Sequence, residues 1–200
     1  FLGRPFIIKP ANTTGGGVGV VDGAESLHDV LAARREFKSD KYLLQEKVKP
    51  LHIDDKRFWF RGFYAFGLVQ CVWWDDATHI YKELLPEEVT AYGLSPLFSI
   101  TEKISTICKL NFFSTEICLT SSETFVVVDY VNEACDMRLQ SLHADGVPDA
   151  IVQNIATSLC SHVQMINRQA QISPGPSTET LQERESPQDR PASERDHHDE

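Results

Sequence analysis

A run of aromatic and aliphatic residues, RFWFRGFYAFGLVQCVWW, extends from Arg57 to Trp74. Two extended stretches interrupted by glycine are typical of a β-hairpin, and the break falls at Gly62 or Gly67. No segment of the chain approaches the ~20 consecutive apolar residues that span a bilayer. The sequence therefore predicts a folded domain built around strands, without a membrane segment.

Helical and extended patterns alternate along the rest of the chain, and three predicted helices have an apolar face at three-to-four spacing. Further strands are predicted at Phe6–Lys9, Val18–Val21, Tyr42–Glu46, Phe112–Leu119 and Thr124–Tyr130. Helices are predicted at Leu27–Glu36, capped by Ser26, at Thr101–Lys109, and from Pro148 onward. The expected apolar faces are Leu27, Val30 and Leu31; Ile104, Ile107 and Cys108; and Ile151, Ile155, Leu159, Val163 and Ile166. Hairpins interspersed among helices favour an α+β domain over a doubly wound parallel sheet.

Composition narrows the classes of function. The 200 residues contain 29 acidic and 19 basic side chains, for a net charge of −10, which argues against a nucleic-acid-binding surface. Residues 169–200 are predicted to form a disordered tail, since from Ser173 onward Leu181 is the only large apolar residue. Five cysteines without a Cys-x-x-Cys pair favour free thiols in a reducing cytoplasm over zinc or disulfides.

A glycine-rich segment, TTGGGVG, follows a lysine on a predicted strand. Successive glycines at 15, 16, 17 and 19 let backbone N–H groups close on an anion, and Lys9 can reach phosphates as a point charge. The segment lacks the Gly-Lys-Ser/Thr end of a P-loop and does not open a helix, so the dinucleotide fingerprint is excluded. A flexible hairpin tip and a surface lysine are the alternatives.

Two further patterns contribute polar groups at the ends of strands. In LLQEKV, an apolar strand ends in residues whose backbone can meet an adenine edge, although an ordinary strand end has the same pattern. Glu116 and Asp129 fall on two strands predicted to pair, and Asn132 follows shortly after. Carboxylate and amide oxygens suit Mg²⁺, whereas turn chemistry is the alternative explanation for Asp and Asn there.

Taken in order, the motifs FIIKP, TTGGGVGV, LLQEKV, RFWFR, STEI and VVVDYVNE resemble the ATP-grasp superfamily from about Phe6 to Arg138. The stretches CVWWDDATHIYKEL and DYVNEACDMRLQS resemble a bacterial subgroup with no activity to carry over. The resemblance implies two α+β subdomains that clamp ATP, at residues 1–50 (N-terminally incomplete) and 51–168. It also implies a piece cut from a longer protein whose N-terminal domain precedes Phe1.

By position, the resemblance assigns roles to individual residues. Lys9 would contact the phosphates, and Gly15, Gly16, Gly17 and Gly19 would cover them. Gln45, Glu46 and Val48 would line the adenine and the hinge, and Asp54 or Asp55 would approach the ribose. Arg57 or Arg61 would face the phosphate or the acyl group, and Glu116, Asp129 and Asn132 would hold magnesium. The usual Glu-x-Asn is replaced by Asp129 and Asn132 at three-residue spacing, which leaves the later metal ligands open.

The implied activity is that of an ATP- and Mg²⁺-dependent ligase, which activates a small-molecule carboxylate as an acyl phosphate for attack by an amine or thiol. An ATP-dependent phosphotransferase and a non-catalytic nucleotide-binding module are the alternatives. A substrate-facing cluster is expected around Trp73, Trp74, Asp75, Asp76, His79, Tyr81 and Lys82, with a core tryptophan pair and a surface loop as the competing interpretation.

Overall fold

The computed structural model describes residues 2–12, 18–35 and 38–172. Phe1–Val163 form one compact unit and Gln164–Glu200 a second. Of the predicted features, Gly15, Gly16 and Gly17 and the tail beyond residue 172 lie outside the described residues. No helix in the described part of the chain combines the length and apolarity needed to cross a bilayer.

The order of strands and helices along the chain is that of an α+β fold, as predicted. The strands are β1 (Phe6–Pro10), β2 (Val21–Ala24), β3 (Tyr42–Glu46), β4 (His52–Ile53), β5 (Lys56–Arg57), β6 (Trp59–Ala65), β7 (Leu68–Trp74), β8 (Tyr81–Glu83), β9 (Phe112–Leu119) and β10 (Phe125–Asn132). The helices are α1 (Leu27–Ala33), α2 (Pro86–Ala91), α3 (Pro96–Cys108) and α4 (Asp149–Ile172). Sequence reasoning missed β4, β5, β8 and α2, which are too short to show a periodic pattern.

A small antiparallel sheet in the order β2-β1-β3 forms the N-terminal part. Phe6, Ile8 and Ala24 form its core. Ser26 caps α1 as predicted, in a reciprocal capping box with Asp29. The apolar face predicted for α1 was wrong in part: Val30 packs against this core, but Leu27 and Leu31 are exposed.

The larger sheet is antiparallel throughout, in the order β10-β9-β6-β7-β8. The predicted hairpin is β6 and β7, and its turn is at Gly67, where φ is +93°. Gly62 instead lies inside β6, in register with Cys71. A Cβ there would stand 2.3 Å from Thr101 Oγ1 of α3. Glycine at this position allows α3 to approach the sheet closely.

The two faces of the larger sheet are covered differently. On one face Phe58, Phe60, Trp73 and Ile117 pack with Leu97 of α3. The face predicted for α3 was wrong in part, since Ile104 is buried but Ile107 is 61% exposed. The helix begins at Pro96, and its buried face is formed by Leu97, Thr101 and Ile104.

On the opposite face Trp59, Phe63, Val72 and Trp74 pack with Val147 and Ile155. Only the first part of α4 covers this face: Ser158 Oγ donates to the Ala65 carbonyl at 2.8 Å. Of the apolar face predicted for α4, Ile155 is buried, while Leu159, Val163 and Ile166 are close to half exposed. The remainder of this face carries polar side chains.

Candidate functional site

A row of charged side chains crosses three neighbouring strands of the larger sheet. Arg61 of β6 is in register with Glu116 of β9, and Glu116 is in register with Asp129 of β10. Residues directly opposite one another share a face of the sheet, so the three side chains form one polar row. Arg61 Nη2 lies 2.8 Å from Glu116 Oε1, and both side chains are largely buried, at 9% and 14% exposure.

Asn132 joins this row because β10 is irregular. Asp129 pairs with Glu116 and Asn132 pairs with Ser114, so β10 advances three residues while β9 advances two. A second register shift lies between Val127 and Asp129. Without a bulge, residues three apart would point to opposite faces. The bulge therefore places Asp129 and Asn132 on the same face despite the unusual spacing.

Burial raises the pKa of Glu116 above its ordinary value. Among the groups that lower this pKa, Arg61 has the largest effect and Lys9 a smaller one, whereas the like charge of Asp129 raises the pKa further. Arg61 is therefore the main charge that offsets the burial of Glu116, and Lys9 of the small sheet adds a weaker effect of the same sign.

Arg61 is fixed on several sides. Its guanidinium carbon lies 4.4 Å from the centroid of the Trp74 ring, and Nη1 donates to Ser114 Oγ at 3.4 Å. Trp59 contributes a side-chain hydrogen bond that helps to lower the pKa of Glu116, whereas, among the described residues, Arg61 Nε is buried without a hydrogen-bond partner. The sequence motifs assigned no role to Trp59 or Ser114, and the signal that finds them is their placement one pleat from Arg61 and Glu116. An unpaired guanidinium donor beside the row suits an anionic group.

The strand predicted as a hinge borders a cleft. Gln45, Glu46 and Val48 line a cavity of about 610 Å³ together with the β9–β10 turn and Val126 of β10. Gln45 Nε2 also donates to the Val128 carbonyl at 3.2 Å, which links β3 to the bulged strand. The cleft also contains Lys47, which is part of the LLQEKV motif, and Lys49; the resemblance assigned a role to neither. A cavity of this size is within the range of small-molecule sites.

Lys9 lies on β1, as predicted. Phe6, Ile8 and Pro10 of this strand are buried, whereas Lys9 alternates with them and is half-buried. Its side chain is therefore on the face of the small sheet opposite that core. Gly19, the one described member of the glycine set, has φ +74°, a conformation that favours glycine.

The two candidate arginines occupy different places. Arg61 belongs to the polar row, whereas Arg57 Nη2 pairs with Asp76 at 2.8 Å and its guanidinium lies 5.4 Å from the centroid of the Trp59 ring. Asp54 is exposed in the turn between β4 and β5, with φ +50°. The structure thus brings Arg61, Glu116, Asp129 and Asn132 together and leaves Arg57 and Asp54 outside the row.

The donor set fits a hard divalent cation. Glu116 and Asp129 are register partners, and Asn132 adds an amide oxygen on the same face. Asn132 Oδ1 also accepts a hydrogen bond from the Ala134 N–H at 3.1 Å. Within the described ranges, no group of three or more His, Cys, Asp or Glu side chains is arranged to hold a metal; the set is two carboxylates and one amide.

No protein-family model and no curated protein matches the sequence. Among solved structures, the ATP-grasp ligase PsnB with precursor peptide PsnA2 and AMPPNP matches with a TM-score of 0.45, 10% identity and coverage of 78% of this chain and 46% of that chain. PsnB with a minimal precursor matches with a TM-score of 0.41 and 10% identity, over 76% of this chain and 47% of that chain. The macrocyclase MdnB from Microcystis aeruginosa MRC matches with a TM-score of 0.42 and 16% identity, over 78% of this chain and 47% of that chain.

This chain spans less than half the length of each of these proteins.

Proposed function

We propose that this chain contains the nucleotide-binding site of an ATP- and Mg²⁺-dependent ligase that activates a carboxylate as an acyl phosphate for attack by an amine or thiol. The observation that carries the proposal is the polar row of Arg61, Glu116 and Asp129, with Arg61 and Glu116 largely buried, completed by Asn132 through the bulge in β10. A row with both charge signs supplies what phosphoryl transfer needs, namely cations for the phosphates and oxygens for a metal.

Each side chain has a defined task in this proposal. Gln45, Glu46 and Val48 receive the adenine in the cleft, and Gly19 with the preceding glycines covers the phosphates. Lys9 and Arg61 stabilise negative charge on the transferring group. Glu116, Asp129 and Asn132 hold Mg²⁺, which neutralises phosphate charge when bound.

The proposed reaction proceeds in two steps. A carboxylate oxygen of the substrate attacks the γ-phosphorus, so that a new O–P bond forms as the bond to the β-phosphate oxygen breaks and ADP leaves. The amine or thiol then attacks the acyl carbonyl, the C–O bond to phosphate breaks, and the nucleophile loses its proton. Lys9 and Arg61 act by charge and position, and no side chain forms a covalent bond.

Trapping of the acyl phosphate tests this proposal. With ATP, Mg²⁺, hydroxylamine and a panel of free and peptide-borne carboxylates, we expect ADP and a hydroxamate to form in equal amounts. Glu116→Gln should abolish both, whereas Glu102→Gln on the exposed side of α3 should change neither. ADP with a stable phosphorylated alcohol and no hydroxamate would identify a phosphotransferase instead, and the absence of nucleotide binding would leave only an interaction module.

The five cysteines are free. Burial raises the pKa of Cys71 and of Cys118 to about 12, so these thiols stay protonated and unreactive at neutral pH. Free thiols accord with the reducing cytoplasm that we propose as the protein's compartment.

A further inference from the structure

A histidine on the turn between β7 and β8 stacks on a buried tryptophan. The imidazole of His79 lies parallel to the Trp74 ring, with 5.6 Å between the ring centroids and an interplanar angle of 8°. Trp73 and Trp74 are 7% and 8% exposed, which agrees with a core tryptophan pair, whereas His79 is exposed. The exposed imidazole therefore covers part of an indole that belongs to the core.

His79 takes this place against the usual backbone preference. Its φ is +60°, in the left-handed region that glycine adopts without strain and most other residues avoid. The His79 N–H donates to the Asp75 carbonyl at 2.7 Å, and the Asp75 N–H donates to the Ile80 carbonyl at 3.0 Å. The Asp75 carboxylate also accepts the N–H groups of Ala77 and Thr78, both at 2.8 Å. These bonds hold the turn without using the imidazole, so a glycine at position 79 would keep the turn and lose the stack.

The same indole supports Arg61 of the polar row. The guanidinium carbon lies 4.4 Å from the Trp74 ring centroid, which is within the range of a cation–π contact. Glu116 and Ser114 hold the two Nη atoms, at 2.8 Å and 3.4 Å. Contacts at both Nη atoms leave the guanidinium able to tilt about the line that joins them, and the flat indole opposes that tilt. The tilt decides where Nε points, and within the described ranges Nε is buried without a hydrogen-bond partner.

His79 and Arg61 are thus linked through one shared ring. Tyr81 also contacts Trp74, but its ring is inclined at 49° with the centroids 6.3 Å apart. The parallel imidazole restricts rotation of the indole more directly than an inclined ring does. An indole that cannot rotate keeps the guanidinium beside it in one orientation.

We infer that His79 is a positioning residue for the proposed ligase: through Trp74 it fixes the orientation of the Arg61 guanidinium and keeps the Nε–H aligned for the terminal phosphate of ATP. His79 itself touches neither substrate nor cofactor, and its effect passes through the indole. The inference rests on the proposed function for the role of Arg61 toward phosphate, whereas the placement of Arg61 by the stack is independent of that function.

NMR of the arginine Nε–H groups tests the placement of Arg61 without any ligand. Aromatic rings shift the resonances of protons that lie close to their faces, so the Arg61 signal reports the geometry of the stack. The signal is assigned by its loss in Arg61→Lys. We expect His79→Gly to displace it and His79→Phe, which restores a flat ring, to return it most of the way. An unmoved Arg61 signal in His79→Gly would refute the stack as the device that positions Arg61.

Two further variants are the controls. Lys109, at the C-terminal end of α3, is exposed and has φ +57°, so Lys109→Gly makes the same backbone change away from the stack and should leave the Arg61 signal in place. In His79→Gly the relieved backbone offsets the lost stack, so the melting temperature should stay within about 3 °C of the unmodified value. When His79→Gly is added to Trp74→Leu, the Arg61 signal should not move again, because His79 acts through the indole. A further displacement would refute that route.

Calorimetric titration with ATP and with ADP, each with Mg²⁺, measures the functional consequence. A misaligned Arg61 weakens contact with the terminal phosphate, which ATP has and ADP lacks. We expect His79→Gly to lower the ratio of ATP affinity to ADP affinity about fivefold, the scale of one aromatic contact, and to leave ADP affinity unchanged. Lys109→Gly should keep the ratio. An unchanged ratio in His79→Gly, or an equal loss for both nucleotides, would contradict the positioning role.

The two measurements also distinguish a failure of this inference from a failure of the proposed function. If the unmodified chain bound no nucleotide, the ligase would be refuted, and the Arg61 signal would still show whether His79 positions the guanidinium. If ATP and hydroxylamine gave a hydroxamate while His79→Gly left both the Arg61 signal and the affinity ratio unchanged, the ligase would stand and His79 would have no positioning role.

Discussion

Replacing Arg61 by leucine tests whether the polar row is held together by charge. The side chains of Arg61 and Glu116 are 9% and 14% exposed, and the positive charge of Arg61, 2.8 Å from the Glu116 carboxylate, offsets the cost of burying that negative charge. Removing one partner of a buried ion pair typically costs about 3–5 kcal/mol, because the other charge is left uncompensated. We expect Arg61→Leu to lower the free energy of unfolding by about this amount at neutral pH.

The loss should depend on pH in a defined direction. Burial already raises the pKa of Glu116, and Arg61 is the strongest opposing influence. Without Arg61 the folded-state pKa rises further above the unfolded value. A raised carboxyl pKa favours folding at low pH and loses that advantage as the pH rises through the folded-state value. Arg61→Leu should therefore lose less stability at about pH 5 than at about pH 7.5.

Urea denaturation of four chains measures the effect: unmodified, Arg61→Leu, Glu116→Gln, and the double variant. In the double variant no buried carboxylate remains at position 116. We therefore expect it to regain most of the stability that Arg61→Leu loses, and to lack most of the pH dependence that Arg61→Leu adds. If Arg61→Leu destabilised the protein equally at both pH values, or if the double variant were as unstable as the single one, the charge argument would be refuted.

Three further predictions concern the nucleotide site and the sheet. Asp129→Ala should remove the Mg²⁺-dependent part of ATP affinity with an unchanged circular dichroism spectrum; an unaltered magnesium effect in calorimetry would contradict its role as a ligand. Lys9→Ala should weaken the binding of ATP more than that of adenosine if, as proposed, Lys9 contributes charge toward the phosphates, and an equal loss for both ligands would contradict that role. Gly62→Ala should lower the free energy of unfolding by about 1–3 kcal/mol, because the new Cβ meets Thr101 Oγ1 at 2.3 Å. Thr101→Ala in the same chain should recover part of that loss, and a neutral Gly62→Ala would disprove the close approach of α3.

Features set by a few neighbouring residues could be predicted from the sequence. The strand containing Lys9, the β6–β7 hairpin, the Ser26 cap and the pairing of the strands with Glu116 and Asp129 all follow from local periodicity and turn chemistry. Their physical causes act within one element or between adjacent strands, so a single segment of sequence contains the information.

Features set by the meeting of distant elements could not be predicted. Either Gly62 or Gly67 could be the turn by sequence, and the contact of Gly62 with Thr101 of the distant helix α3 is not visible in the hairpin's own residues. Arg57 and Arg61 share one face by alternation, and the choice between them depends on Asp76 from the β7–β8 turn and Glu116 from β9. The apolar spacing of α1 and α4 predicts amphipathic helices but does not show how much of each face the sheets cover.

The two bulges in β10 have a consequence for association as well as for the site. β10 is an edge strand of the larger sheet, and a regular edge offers its free backbone groups to the strand of another chain. The shifts on both sides of Asp129 break the even spacing of those groups, and Gln45 already occupies the Val128 carbonyl between Val127 and Asp129. An incoming strand would find no continuous ladder to extend. The irregularity that aligns Asp129 with Asn132 therefore also protects this edge against aggregation by strand addition.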